Sequence, residues 1–347
     1  MAEPAVATTE KLDVENLVEG VLDTIERGRE REIISRRFGL FDRRETLEQI
    51  GELLGITRER VRQLEKAVVQ KLKAGADELP NLTDVEQRFI SELQQLGSIA
   101  RIAELTGKVS KDNDRLSQAR VSFLATLSPR LSVIDDNDHY HHAVAIKEAH
   151  DEKQVKDQVG KIIEAIKNIG EPTSIRKIAD AIKADDHNHV GALASVSKHV
   201  ASLNERWGLV KWPMVNPKNI RDKIYVILHD NKKPMHFNEI AKAIKVSDFK
   251  RKDVTTQAIH NELIKDGRFV LIGRGIYALK EWGYEKGTVA DIISEVLKKA
   301  GEPLHRDEIV KRVLESRQVK ETTILLNLQG KSQFKRVAKA TYALADN

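Results

Sequence analysis

The residues with the clearest chemical potential lie between positions 57 and 66, in the run TRERVRQLEK. At 3.6 residues per turn, Val61 and Leu64 share one face of a helix, and Arg58, Glu59, Arg62, Gln63 and Lys66 are left toward solvent. Arginine can bond guanine O6 and N7, glutamine adenine N6 and N7, and glutamate the amino group of cytosine. All three donor and acceptor types therefore fall in the first two turns of one helix, the part that meets base edges when a helix enters the major groove. A solvated helix face tied by ion pairs competes with this reading, since Glu59 and Gln63 stand at i and i+4.

A helix can read bases only if other elements hold it at the right angle. The run TLEQIGELLGITRERVRQL, residues 46–64, places Leu47, Ile50, Leu54, Ile56, Val61 and Leu64 at helical spacing around Gly51 and Gly55. Gly51 removes a side chain where two helices would cross closely, Gly55 permits the turn between them, and the Thr57 hydroxyl can cap the second helix. The spacing predicts a helix-turn-helix.

Together, REREIISRRFGL from Arg29 and TLEQIGELLGITRERVRQLEKAVVQKLK from Thr46 resemble region four of the primary-type bacterial sigma factors of RNA polymerase. The resemblance implies that this helix reads the upstream promoter hexamer, the minus-thirty-five element. Arg58, Glu59, Arg62 and Gln63 would then contact bases, with Thr57, Arg60 and Lys66 nearer the phosphates. It also implies that the preceding helices grip the flap tip of the polymerase β subunit through Ile33, Ile34, Phe38 and Leu40. Nothing in the sequence resembles the family's region two, so a complete sigma factor is not expected. The connector FDRRE is a residue short, and Ala67 and Val68 stand where the family has basic or small residues.

The rest of the chain repeats itself. Pro172, Ile178, Ala179, Ala181, Ile182 and Lys183 recur 62 positions later, from Pro234 to Lys245. A third copy, EPLHRDEIVKRVL from Glu302, repeats Pro234, His236, Glu239 and Ile240 as Pro303, His305, Glu308 and Ile309. In the second copy, helical spacing over 220–228, 237–244 and 254–264 precedes two alternating runs, 269–272 and 275–279, around Gly273 and Gly275. Three helices plus a hairpin describe a winged helix. A diverged copy is expected earlier, with helices over 85–96, 99–106 and 115–127 and strands over 131–134 and 143–146. The block from KPMHFNEIAKAIK to RFVLIGRGIYAL resembles the HARE-type helix-turn-helix, a family that includes the N-terminal domain of the RNA polymerase δ subunit. Within the hairpins, Arg268, Arg274, Lys335 and Arg336 are candidates for phosphate contact, while Tyr277 and Tyr342 read as core.

Composition narrows the classes. Among 347 residues there is no cysteine, which excludes disulfide scaffolds, Cys-ligated zinc, iron–sulfur clusters and a thiol nucleophile. Residues 1–80 carry 14 basic and 17 acidic side chains, residues 81–150 carry 8 and 10, and residues 151–347 carry 36 and 26. The C-terminal part is thus the basic one, which suits nucleic acid or any acidic partner. No apolar run approaches a membrane span and no signal peptide is legible, so a cytoplasmic, nucleoid-associated protein is expected. The Asp/His runs at 135–142 and 185–189 lack metal-ligand order, and nucleotide-loop and esterase-elbow motifs are missing. A non-enzyme without cofactor or metal is the expectation.

The fold class read from the sequence is mainly α: a flexible tail over 1–15, a sigma-like unit over 16–80, and winged units over 81–148, 155–216, 219–283 and 287–347. The function read from it is a sigma-like transcription factor that binds promoter DNA, the polymerase β flap, or both. Two rivals stand beside it, a polymerase-binding adaptor that never reads DNA and an accessory module of a DNA-processing enzyme.

Overall fold

The computed structural model describes residues 11–147, 152–249, 251, 253–284, 287–317 and 319–345. It divides into two compact units, Met1–Lys211 and Trp212–Asn347. Sixteen α-helices and small antiparallel sheets make it a mainly α protein among the described residues. Residues 1–10 of the expected tail lie outside that description, as do residues 148–151 and 285–286 of the expected linkers.

The first unit opens with α1 (Val14–Asp23), α2 (Gly28–Phe38), α3 (Leu47–Leu54) and α4 (Arg58–Ala74). Residues 11–15 are not part of a free tail: the Leu12 amide donates to the Val109 carbonyl at 2.8 Å, and Asp13 caps α1. Glycine ends α2, where Gly39 has φ +69° and a Cβ would lie 2.7 Å from the Arg44 nitrogen. A capping box of Thr46 and Gln49 starts α3, Gly55 closes it at φ +64°, and the Thr57 hydroxyl accepts from the Arg60 amide to start α4. At Gly51 the close approach is to the turn itself, because a Cβ there would lie 2.7 Å from the Ile56 carbonyl oxygen. Gly51→Val is therefore expected to cost about 1 to 3 kcal/mol locally, read as faster amide exchange through α3 and α4 with the second unit unchanged.

The chain continues through α5 (Leu82–Gln95), β1 (Ile99–Arg101), α6 (Ile102–Val109), α7 (Arg115–Leu127), β2 (Leu131–Ile134) and β3 (Ala143–Ile146). The expected helix over 99–106 begins as a strand. Ser98 at φ +68° breaks the preceding helix, and Ile99, Ala100 and Arg101 pair with Ala145, Val144 and Ala143 in a sheet of order β1-β3-β2. One hydrophobic core runs from Val14 to Ile146 and takes in Val18, Val21, Leu40, Leu72, Phe89 and Phe123. Position 80 thus does not divide the packing. Only Ile33, Ile50 and Val61, flanked by Leu47, Leu54, Ile56 and Leu64, form a separate small core under the helix-turn-helix. Buried Arg120 adds a polar tie, donating to the Leu40 carbonyl and the Glu15 carboxylate at 2.9 Å each.

A second helix-and-hairpin module follows, with α8 (Glu152–Ile169), α9 (Ile175–Ile182), α10 (His187–Val196), β4 (Val200–Leu203) and β5 (Arg206–Leu209). It seats on the first: a Cβ on Gly97 would lie 2.8 Å from the Asn188 carbonyl oxygen, and the Arg101 guanidinium donates to the Ser195 carbonyl.

The second unit contains two further modules. The first is α11 (Ile220–Asn231), β6 (Met235–His236), α12 (Phe237–Val246), α13 (Thr256–Lys265), β7 (Phe269–Gly273) and β8 (Ile276–Leu279). The other is α14 (Val289–Ala300), β9 (Leu304–His305), α15 (Arg306–Ser316), α16 (Glu321–Gly330), β10 (Phe334–Ala338) and β11 (Thr341–Leu344). Each hairpin gains a two-residue third strand, β6 or β9, in the orders β6-β8-β7 and β10-β11-β9. The recurring histidines are caps: His236 Nδ1 accepts from the Asn238 amide and His305 Nδ1 from the Asp307 amide. Tyr277 and Tyr342 are buried, 3% and 7% exposed.

Candidate nucleic-acid interface

Helix α4 is held from one side only. Val61 is fully buried, Leu64 packs beside it, and Arg37 of α2 bridges Glu65 at 3.2 Å. The Arg29 guanidinium donates to the Leu54 carbonyl and pins the end of α3. The opposite face carries Thr57, Arg58, Glu59, Arg60, Arg62, Gln63 and Lys66, all exposed.

Those side chains are organised around Glu59. Its carboxylate accepts two hydrogen bonds from Arg62, at 2.7 and 2.8 Å, and one from the Gln63 amide at 3.3 Å. Arg58 bridges Glu48 of α3 at 3.1 Å, and Arg60 donates to the Gln63 side-chain oxygen Oε1 at 3.5 Å. The ion-paired face anticipated as a rival reading is therefore present in the free protein. It does not compete with base contact, because exposed ion pairs are weak and readily exchanged. They set the starting rotamers of the donors.

Hydrogen bonds from Arg62, and then from Gln63, hold the Glu59 carboxyl down at about 2, against an ordinary value of 4.5. A depressed carboxyl contributes its pairing above the unfolded-chain value and loses it as pH falls toward the folded one. The array is therefore expected to be invariant from pH 5 to 8. Carbon-detected NMR of the Glu59 carboxyl should show a midpoint below the ordinary 4.5, and a midpoint at or above that value would mean that the pairing does not persist in solution.

Several expected site residues sit elsewhere. Ile33, Ile34 and Leu40 are fully buried, Ile33 under the helix-turn-helix and the other two in the large core, so they cannot present a surface to polymerase. Their apolar spacing is that of packing. Phe38 is half-buried and meets Phe123 edge-on, with ring centroids 4.9 Å apart. Arg268 is not a free cation at a wing: it bridges Asp266 at 2.8 Å and Asp222 at 3.3 Å and lies over the Tyr225 ring. Arg274, Lys335 and Arg336 are exposed on the hairpins of the second unit.

Among the described residues no three His, Asp or Glu side chains converge as metal ligands, and no helix is long and apolar enough to cross a membrane. Sequence reasoning missed Arg44, Lys73 and Lys147, which border the flank of α4 with Lys66. Lys66 and Lys73 stand seven residues apart, a helical signal available in the sequence, whereas Lys147 joins them only through the fold.

Comparison with known proteins meets the chain at this helix. Residues 27–74 match the family Sigma-70, region 4, from the residue before α2 to the end of α4. The chain is 42% identical over 74 residues to RNA polymerase sigma factor SigA1 of Synechococcus elongatus, covering 21% of this chain and 17% of the relative. It is 46% identical over 71 residues to RNA polymerase sigma factor SigA of a Bacillus species, covering 20% and 18%. RNA polymerase sigma factor sigB of Arabidopsis thaliana matches at 39% over 77 residues, covering 21% and 14%. The chain thus spans about a sixth of the length of these relatives. Residues 27–74 are a sigma-70 region 4 domain, set in a chain whose remainder is built of helix-and-hairpin modules.

Proposed function

We propose that this chain is a sigma-like, DNA-binding transcription factor whose α4 recognises an upstream, minus-thirty-five-like promoter element. Arg58, Glu59, Arg62 and Gln63 contact bases, and Thr57, Arg60 and Lys66 lie along the phosphates. The single observation that carries this reading is the exposed, ion-pair-organised face of α4 inside the stretch that matches sigma-70 region 4. The polymerase, at its β flap, is the proposed protein partner of the same domain. The modules over 219–283 and 287–347 are read as HARE-type winged helices that add affinity by effective concentration. Their exposed Arg274, Lys335 and Arg336 offer phosphate contacts.

The test is binding of the full chain to a duplex carrying the family's upstream hexamer and to a scrambled duplex, across a salt titration. A preference of about 5- to 150-fold per disrupted base pair supports base reading. Equal, steeply salt-dependent binding to both duplexes overturns it, and capture of core polymerase without DNA discrimination would favour the adaptor.

A further inference from the structure

Between α4 and the β2–β3 hairpin lies an open groove of about 630 Å³. Arg44, Lys66, Lys73 and Lys147 line it, contributed by the α2–α3 connection, by α4 and by the residue after β3. No ion pair neutralises any of these four among the described residues. The two carboxylates at the groove are Glu65, already bridged to Arg37, and Asp135. This concentration of positive charge is not a product of composition, because residues 1–150 carry 22 basic against 27 acidic side chains. Four unpaired cations have been gathered in an acidic segment.

The like charges are close enough to feel each other. Partial desolvation and the charge of Lys147 lower the proton affinity of Lys73, and Arg44 acts in the same direction on His142. Such repulsion persists without an anion and is relieved by one. The groove is also continuous with the base-reading face, since Arg62 lines it as well. From Arg62 to Lys73 the helix runs about 16 Å at 1.5 Å per residue. A duplex edge of that length presents about five phosphates of one strand, at roughly 3.4 Å of axis each.

We infer that this groove is a second DNA-binding surface, which takes the sugar–phosphate backbone flanking the element read by the start of α4. The inference rests on α4 binding duplex DNA, and it adds to that reading a contact supplied jointly by the helix-turn-helix and the first hairpin. Each cation forms charge-assisted contacts with phosphate and releases condensed counterions, so the groove contributes affinity and salt dependence without sequence preference.

The test is Lys73→Ala with Lys147→Ala in the full chain, beside a control pair on α8, Lys161→Ala with Lys167→Ala. Binding to the hexamer and scrambled duplexes is titrated in salt, and binding to core polymerase is measured separately. The groove variant is expected to lower the salt slope by about 1.8 and to weaken both duplexes alike, with the hexamer preference intact. If wild type shows no hexamer preference but the groove variant still loses slope, the groove stands and base reading falls. An unchanged slope overturns the inference, and so does a loss of polymerase binding with DNA binding intact, which would make the groove a protein-docking surface. Both lysines are exposed, so an unchanged thermal transition separates these outcomes from misfolding.

Discussion

Arg62→Ala is expected to flatten the chain's preference at one base pair by about 5- to 150-fold, on top of a smaller, uniform loss of affinity for all duplexes from the missing cation. In the free protein the Arg62 guanidinium is held in a planar fork on the Glu59 carboxylate, with Nε and Nη2 both donating. That arrangement places two parallel donors at the rim of α4, the geometry that matches guanine O6 and N7. Removing the fork also leaves the Glu59 carboxylate with the Gln63 side-chain amide as its remaining hydrogen-bond donor and without its guanidinium, which is the source of the uniform loss. Lys66→Ala makes the contrast: a point charge with no base-edge geometry should weaken every duplex equally and lower the salt slope by about 0.9. A selection experiment on randomised hexamers reads both. If Arg62→Ala weakened all sequences alike, Arg62 would be a phosphate contact and the assignment of base reading to this turn would fail.

Phe123→Ala is expected to destabilise the first unit by about 3 to 5 kcal/mol. Phe123 is fully buried in the core that α1, α2 and α4 share with α5 and α7, and its ring meets Phe38 edge-on. Truncation there leaves a cavity that helices anchored at both ends cannot close. Urea unfolding followed through Trp207 of the first unit, in a chain with Trp212→Phe and Trp282→Phe, measures it, with Leu263→Ala in the second unit as the reference substitution. DNA binding should fall in parallel, although Phe123 is fully buried and presents nothing to DNA. The same packing implies that a chain ending at Pro80 loses the cover over Val18, Val21, Leu40 and Leu72, whereas one ending at Lys147 keeps it. Cooperative melting of the shorter chain at an unchanged temperature would contradict the shared core.

Most of the local structure was legible because its signals are local. Thr46, Thr57, Gly39 and Gly55 mark helix boundaries through caps and left-handed backbone, and the repeats expose the hairpins through alternation. The strand Ile99–Arg101 looks helical in sequence because IARIAEL has helical spacing in isolation, and only its pairing with Ala143–Ala145 decides otherwise. Ile33, Ile34 and Leu40 illustrate a different limit. Apolar side chains wanted by a partner and by a core have the same spacing, and burial alone tells them apart. Arg268 failed for a related reason: Asp222 lies 46 positions away, so the bridge that occupies it cannot be read from the chain. The groove cations stayed hidden because net charge per segment averages them away.

Because one core joins α1, α2 and α4 to the β2–β3 hairpin, the hairpin has a fixed azimuth about any duplex held by α4. The phosphate backbone of B-DNA repeats regularly whatever the sequence, so inserting a base pair beside the hexamer still leaves a phosphate at that azimuth, whereas cutting the duplex short there removes it. On the proposed contacts, the chain would gauge the continuity of the duplex beside the hexamer as well as the sequence within it. Duplexes of identical hexamer would then be sorted by where the flanking strand ends, and not by what it spells.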